Sequence, residues 1–201
     1  MKKVIALFLL VSMLIISSNI VFAEMHWGIK GGANSTTFTG DDVDQDNIAA
    51  FNAGVYTAWR FMDVITVQPE LLFTIKGGES TLPDQFGGGG ISNVRLNYLE
   101  LPILFKYAFP MDPFEVNVFA GPYVAHLMMV TDAQGRDENN LLKDFTRFDW
   151  GFVLGVGGGM DIGLGRLVAD VRYTLGLQNL DDDGDADVKN SVIGANVGWE
   201  F

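Results

Sequence analysis

Asn190-Ser191-Val192-Ile193-Gly194-Ala195-Asn196-Val197-Gly198-Trp199-Glu200-Phe201 is the stretch whose reading decides the fold. With period two, Ile193, Ala195, Val197, Trp199 and Phe201 share one face. Asn190, Val192, Gly194, Asn196, Gly198 and Glu200 share the other, which is small or polar apart from Val192. A helix would scatter these side chains around its circumference, whereas a strand separates them. The run ends on an aromatic residue with no polar tail. Water gives no physical reason for that ending. A strand whose apolar face meets lipid, with aromatics at headgroup level, does.

Working outward, the same alternation recurs over Met25–Phe38, Ala49–Phe61, Val64–Lys76, Val94–Phe109, Phe114–Met129, Phe145–Met160 and Arg166–Gln178. In the second run Phe51, Ala53, Val55, Thr57 and Trp59 oppose Asn52, Gly54, Tyr56, Ala58 and Arg60. In the third, Val67, Pro69, Leu71, Phe73 and Ile75 oppose Gln68, Glu70, Leu72, Thr74 and Lys76. The connections alternate long and short. Gly40–Asn47, Gly77–Asn93, Thr131–Asp144 and Asn179–Lys189 are long and mostly polar; Met62-Asp63, Pro110–Pro113 and Asp161–Gly165 are tight turns. Each run reaches the roughly 9–11 residues that a tilted strand needs to cross a bilayer. The pattern predicts an all-β fold, an eight-stranded antiparallel up-and-down transmembrane β-barrel with short periplasmic turns and longer outer loops.

The polar phase carries Lys30, Arg60, Glu70, Lys76, Glu100, Lys106, Glu115, Arg147, Asp149, Asp170, Arg172 and Glu200, six basic and six acidic. A balanced set suits a narrow lumen in which charges pair, so the polar face is read as inward. The network expected there is Lys30, Arg60, Glu70, Lys76, Glu100, Lys106, Asp170, Arg172 and Glu200. Pro69, Pro102 and Pro122 interrupt strands that have no free edge, and β-bulges are the expected accommodation.

Residues 1–23 read as a secretory leader: Lys2 and Lys3, an apolar run from Val4 to Ile16, then Val21-Phe22-Ala23 before Glu24. The expected organisation is leader 1–23 and barrel domain 24–201, placed in the bacterial outer membrane. The formal charge of −12 becomes −14 when Lys2 and Lys3 leave with the leader, which makes nucleic acid a poor partner. With no cysteine there is neither a disulfide framework nor a lipid-acylation site.

Several short motifs carry a family resemblance. Gly28-x-Lys30-Gly31-Gly32-x-Asn34, Gln68-Pro69-Glu70-Leu71, Tyr98-Leu99-Glu100-Leu101-Pro102, Ala120-Gly121-Pro122-Tyr123 and Asp170-x-Arg172-Tyr173 together resemble the outer-membrane β-barrel domain family that includes PorT-like proteins. OmpX and the membrane domain of OmpA share the eight-strand architecture. The resemblance implies outer-membrane lipid and lipopolysaccharide as surroundings and the barrel assembly machinery as a partner. It also implies a terminal assembly signal in Trp199 and Phe201. An extracellular protein partner reached through the loops is a further expectation.

Other motifs yield to simpler readings. Gly155-Val156-Gly157-Gly158-Gly159-Met160 fails the dinucleotide fingerprint at Met160, and glycines facing a crowded lumen explain it better, so no cofactor is expected. Asp181-Asp182-Asp183-Gly184-Asp185-Ala186-Asp187 partly matches a calcium loop, with Asp181, Asp183, Asp185 and Asp187 as candidate ligands. Gly184 comes early and no bidentate Glu follows, so a solvated acidic loop is the simpler reading. His26 and His126 fall at opposite ends of the barrel, and Ser35, Ser80, Ser92 or Ser191 would have to reach His126 to build a lipid hydrolase. No enzyme is therefore expected. The expected role is structural or surface-interacting, with a narrow solute channel as the alternative and an outer-membrane lipid-modifying enzyme as the second.

The terminal-signal reading has a direct test. Deleting Phe201 is expected to deplete folded, heat-modifiable barrel from outer-membrane fractions while leaving refolding in detergent intact. Normal assembly in cells would remove that role from Phe201.

Overall fold

The computed structural model describes residues 24–39, 47–61, 64–81, 91–131, 146–179 and 188–201. Eight strands follow in order: β1 (Glu24–Thr39), β2 (Ile48–Phe61), β3 (Ile65–Thr81), β4 (Ile91–Met111), β5 (Phe114–Thr131), β6 (Phe148–Asp161), β7 (Arg166–Gly176) and β8 (Lys189–Glu200). Every neighbouring pair is antiparallel, and β8 pairs with β1 from Gly28↔Glu200 to Thr39↔Lys189, closing the barrel. The Phe201 N–H donates to Trp27 O at 2.7 Å, one rung beyond the last strand residue. No described helix is long and apolar enough to cross a membrane; the crossing is made by strands.

Alternation is the reason for the shape. Phe51, Val55, Leu99, Leu101, Phe152, Leu154, Ile193 and Val197 point outward and stay exposed, while Asn52, Tyr56, Glu100, Val153 and Asn196 point inward and are buried. Exposed Trp27, Trp59, Phe105, Tyr107, Phe109 and Phe114 lie toward one end of the band. Phe51, Phe73, Phe148, Trp150 and Phe152 lie toward the other. These two sets are aromatic girdles around an apolar belt, the arrangement that fits the two interfaces of a bilayer. The turns at Asp112-Pro113 and Ile162–Gly165 share an end with Glu24 and Phe201, the periplasmic end by the rule that short turns face inward.

Three expectations change. The stretch Gly77–Asn93 is not all loop: β3 runs on to Thr81 and β4 begins at Ile91, with Gly77↔Arg95 and Gly78↔Val94 in register. Cross-strand backbone bonding needs no side chain, so glycines that suggest a loop still pair; Gly77 takes φ 141°, a value that favours glycine. The Thr36 hydroxyl on β1 both accepts from Gly77 N and donates to Gly77 O, at 3.1 Å each. At this level Ile75, phased to the outer face, is only 6% exposed.

The prolines are not at bulges. Pairing between β2 and β3 lapses between Tyr56↔Glu70 and Trp59↔Val67, beside Pro69, and resumes in the same register. It lapses likewise beside Pro102 between β3 and β4, and beside Pro122 between β4 and β5. A strand residue offers its N–H to one neighbour only, so each proline drops out of one ladder and keeps its place in the other, as Pro69↔Ile103, Pro102↔Tyr123 and Pro122↔Phe152. The one register shift among the described pairs is elsewhere. Leu127↔Tyr98 is followed by Met129↔Asn97, leaving Met128 as the extra residue and both methionines exposed.

The third change is at the start of β6. Arg147 precedes the strand and is exposed, so it does not belong to the inward set.

Inward glycines leave space for rings. A methyl group at Gly28 would overlap Tyr56, one at Gly151 would crowd Tyr123, and one at Gly155 would overlap Phe119. The glycine run of β6 therefore belongs to a strand and not to a phosphate loop.

Val197 is 59% exposed on the lipid-facing side of β8. Val197→Arg is expected to cost about 2–4 kcal/mol near the midplane, less toward an interface. Unfolding in lipid vesicles measures this, and a neutral result there would mean that β8 does not face hydrocarbon.

Candidate functional site: the charged lumen

Closing eight strands leaves an interior only wide enough for side chains. Two buried ionic clusters and a layer of apolar side chains fill it. In the first cluster, Lys30 on β1 bonds Glu70 on β3 at 3.0 Å and Asp170 on β7 at 2.7 Å. Arg172 on β7 holds both oxygens of Glu70, at 2.7 and 3.2 Å, and both of Asp170, at 2.8 and 3.0 Å. Gln68 Nε2 donates to Glu70 at 2.6 Å and Asn196 Nδ2 to Asp170 at 2.8 Å. Two cations and two carboxylates thus form a closed, hydrogen-bonded square across the barrel.

The second cluster lies nearer the long loops. The Lys76 ammonium lies 2.7 Å from Glu100 and 3.1 Å from Asp149. Tyr123 and Asn190 also donate to Asp149, at 3.1 and 2.9 Å. The rings of Tyr98 and Tyr123 sit 5.2 and 4.2 Å from the same ammonium, which is cation–π distance. Leu96, Leu104, Leu127, Val130 and Val153 fill the space around the clusters. At the periplasmic rim Arg166 pairs Glu115 at 2.8 Å and Arg60 approaches Glu200 at 3.6 Å, with Tyr56 donating to Glu200 at 3.5 Å.

Of the residues singled out in the sequence, Lys30, Glu70, Asp170 and Arg172 meet in one cluster, Lys76 and Glu100 in another, and Arg60 with Glu200 at the rim. Lys106 joins no ion pair among the described residues; its ammonium lies 5.3 Å from the centre of the Phe119 ring. Arg166 was missed, although it shares the phase of Asp170 and Arg172. Arg147 stands outside, so exchanging it for Arg166 keeps the inward set at six basic and six acidic residues. Tyr123, Asn190 and Asn196 were also missed as partners of the carboxylates, because phase gives a face and not a neighbour two strands away.

The other candidates do not assemble. The run Asp181–Asp187 lies outside the described residues, and among those described no group of three or more His, Cys, Asp or Glu is placed to hold a metal. His26 sits at the rim 3.6 Å from Glu24. His126 is exposed on the outer face of β5, level with Leu99 and Phe148. The Ser191 hydroxyl donates to Tyr173, at 3.1 Å. Ser35 is exposed on β1, and the side chains of Ser80 and Ser92 lie outside the described residues. Trp199 and Phe201 sit at the periplasmic end, Trp199 half-buried and Phe201 68% exposed.

Little free space remains. A cavity of about 20 Å³ lies at the periplasmic end among Arg60, Lys106, Glu115, Arg166 and Glu200, and one of about 10 Å³ lies between the clusters beside Asn34, Asn52 and Lys76. A water needs about 10–15 Å³, so neither forms a continuous path.

A closed eight-stranded antiparallel barrel with an apolar belt, two aromatic girdles and a charge-paired interior is a bacterial outer-membrane β-barrel. The sequence matches the family described as outer membrane protein beta-barrel domain over residues 17–182, and the chain belongs to it. Among solved structures it is similar to the outer membrane protein OprG of Pseudomonas aeruginosa (13% identity, 89% of this chain and 97% of that one, TM-score 0.52). It is also similar to Neisserial surface protein A (14%, 87% and 97%, TM-score 0.50) and to Ail of Yersinia pestis (17%, 89% and 99%, TM-score 0.48). These likenesses are of fold. No curated protein sequence matches the chain.

The first cluster sets an energetic expectation. Glu70 is 1% exposed, and Glu70→Ala leaves Lys30 and Arg172 short of a buried partner. The loss is expected to be about 3–5 kcal/mol. Unfolding in detergent should show a far smaller effect for Glu24→Ala at the exposed rim; equal effects would mean that Glu70 contributes nothing from inside.

Proposed function

We propose that this protein is a non-conducting outer-membrane barrel with a structural or surface-interaction role, acting through its outer loops and not through its lumen. The observation that carries the reading is the filled interior. Two hydrogen-bonded ionic clusters cross it, and two cavities among the described residues measure only about 20 and 10 Å³. Hydrated ions need a continuous water path, and side chains locked by two or more charged partners do not yield one cheaply.

Charge distribution supports placing the role outside. The segments 40–46, 82–90, 132–145 and 180–187 hold fourteen Asp and Glu against only Arg136 and Lys143, whereas the inward set is balanced. Dense negative charge on loops favours basic protein partners and cation-bridged contact with anionic lipopolysaccharide. Cation contact would include Asp181, Asp183, Asp185 and Asp187. No nucleic-acid role and no enzymatic role fit this surface.

The PorT-like resemblance supports the same reading in a particular way. Its motif residues Lys30, Asn34, Gln68, Glu70, Tyr98, Glu100, Tyr123, Asp170 and Arg172 are all buried on the inward face. Those motifs therefore describe how the interior is packed, and they name no cargo.

In planar bilayers the refolded protein is expected to give no stepwise conductance. Sustained steps in the unmodified protein would replace this reading with the narrow channel.

A further inference from the structure

The lumenal charges balance in total but not locally. Among the described residues facing the lumen near the periplasmic end and the barrel middle stand five cations, Lys30, Arg60, Lys106, Arg166 and Arg172, and four carboxylates, Glu70, Glu115, Asp170 and Glu200. Each of those carboxylates already has a cation: Glu70 and Asp170 share Lys30 and Arg172, Glu115 has Arg166, and Glu200 has Arg60. Lys106 is left over. Nearer the loops the reverse holds, with Lys76 facing both Glu100 and Asp149.

We infer that Lys106 marks a binding site for one small monatomic anion, such as chloride, reached from the periplasmic end. The Lys106 ammonium stands over the Phe119 ring at 5.3 Å, a contact that orients a cation without neutralising it. An ammonium only partly solvated and without a counter-charge is costly, and an anion beside it lowers that cost. Lys106 also lines the larger of the two cavities with Lys30, Arg60 and Arg166, and the Glu115, Asp170 and Glu200 carboxylates that share it are those held by Arg166, Lys30 and Arg60. At about 20 Å³ that cavity holds one or two water-sized bodies, enough for a monatomic ion and too little for sulfate or gluconate. Lys106 is partly exposed, whereas Lys76 is fully buried, so solvent reaches the surplus positive charge and not the surplus negative one. Position supports the same assignment. Lys106 pairs across β3–β4 with Thr66 and across β4–β5 with Phe119, below the Glu70 square, which closes the lumen above it.

Bromide replaces chloride in the test. Crystals of the full barrel soaked in bromide are expected to show an anomalous peak beside the Lys106 ammonium, absent in Lys106→Met. A peak that persists in Lys106→Met is an adventitious ion only and overturns the assignment, as does no lumenal peak in the unmodified protein. In detergent, unfolding at equal ionic strength should occur at higher temperature in chloride than in gluconate. Lys106→Arg should keep that difference and Lys106→Met should lose it. An identical chloride effect in the unmodified protein and Lys106→Met would also overturn the site.

Discussion

Hydrocarbon offers no hydrogen bonds, so every backbone N–H and C=O that enters it must find a partner in the chain. The β1–β8 ladder answers that constraint, and everything else depends on it. Twelve register pairs from Gly28↔Glu200 to Thr39↔Lys189 turn an eight-stranded sheet with two open edges into a barrel with none. The prolines show how closely the constraint is kept. Pro69, Pro102 and Pro122 each fall where one ladder lapses for two rungs and then resumes in register. A bulge would have turned later side chains to the wrong face; a short gap leaves the phase of the whole strand unchanged.

Closure at eight strands then dictates the interior. The cylinder is too narrow for bulk water and too polar on its inner face to pack as an ordinary core. Its charges therefore bind one another, Glu70 between Lys30 and Arg172, Lys76 between Glu100 and Asp149. Rings fill the remaining width by lying against glycines, as Tyr56 does at Gly28 and Phe119 at Gly155. Buried ion pairs are a doubtful source of stability in general, because desolvation offsets attraction. Here the alternative, an apolar interior within an apolar exterior, would give each strand two similar faces and no register. The inward charges tell the two faces apart.

The outward face and the loops divide the remaining work. An apolar belt and aromatic girdles fix the barrel's depth, and segments 40–46, 82–90, 132–145 and 180–187 carry nearly all of the sequence's excess charge. The described interior, by contrast, is packed and its charges are mostly paired.

Alternation by itself fixed the strand count, their approximate ends, the face of nearly every side chain and the order of long and short connections, because a strand's period is two wherever it sits. It also placed Lys30, Glu70, Lys76, Asp170 and Arg172 indoors. The tertiary structure alone decided which charge meets which. Lys30 reaches residues on β3 and β7, and Arg172 reaches across to β3, contacts 40 to 140 residues apart in sequence. It decided that Arg147 lies outside, since a phase says nothing about where a strand begins, whereas the inward phase of Arg166 was already legible in the seventh run. It also left Lys106 without a paired carboxylate among the described residues, where counting had promised one. Periodicity is a property of one strand, whereas pairing across a lumen depends on strand tilt and stagger around the closed barrel, which no single stretch of sequence contains.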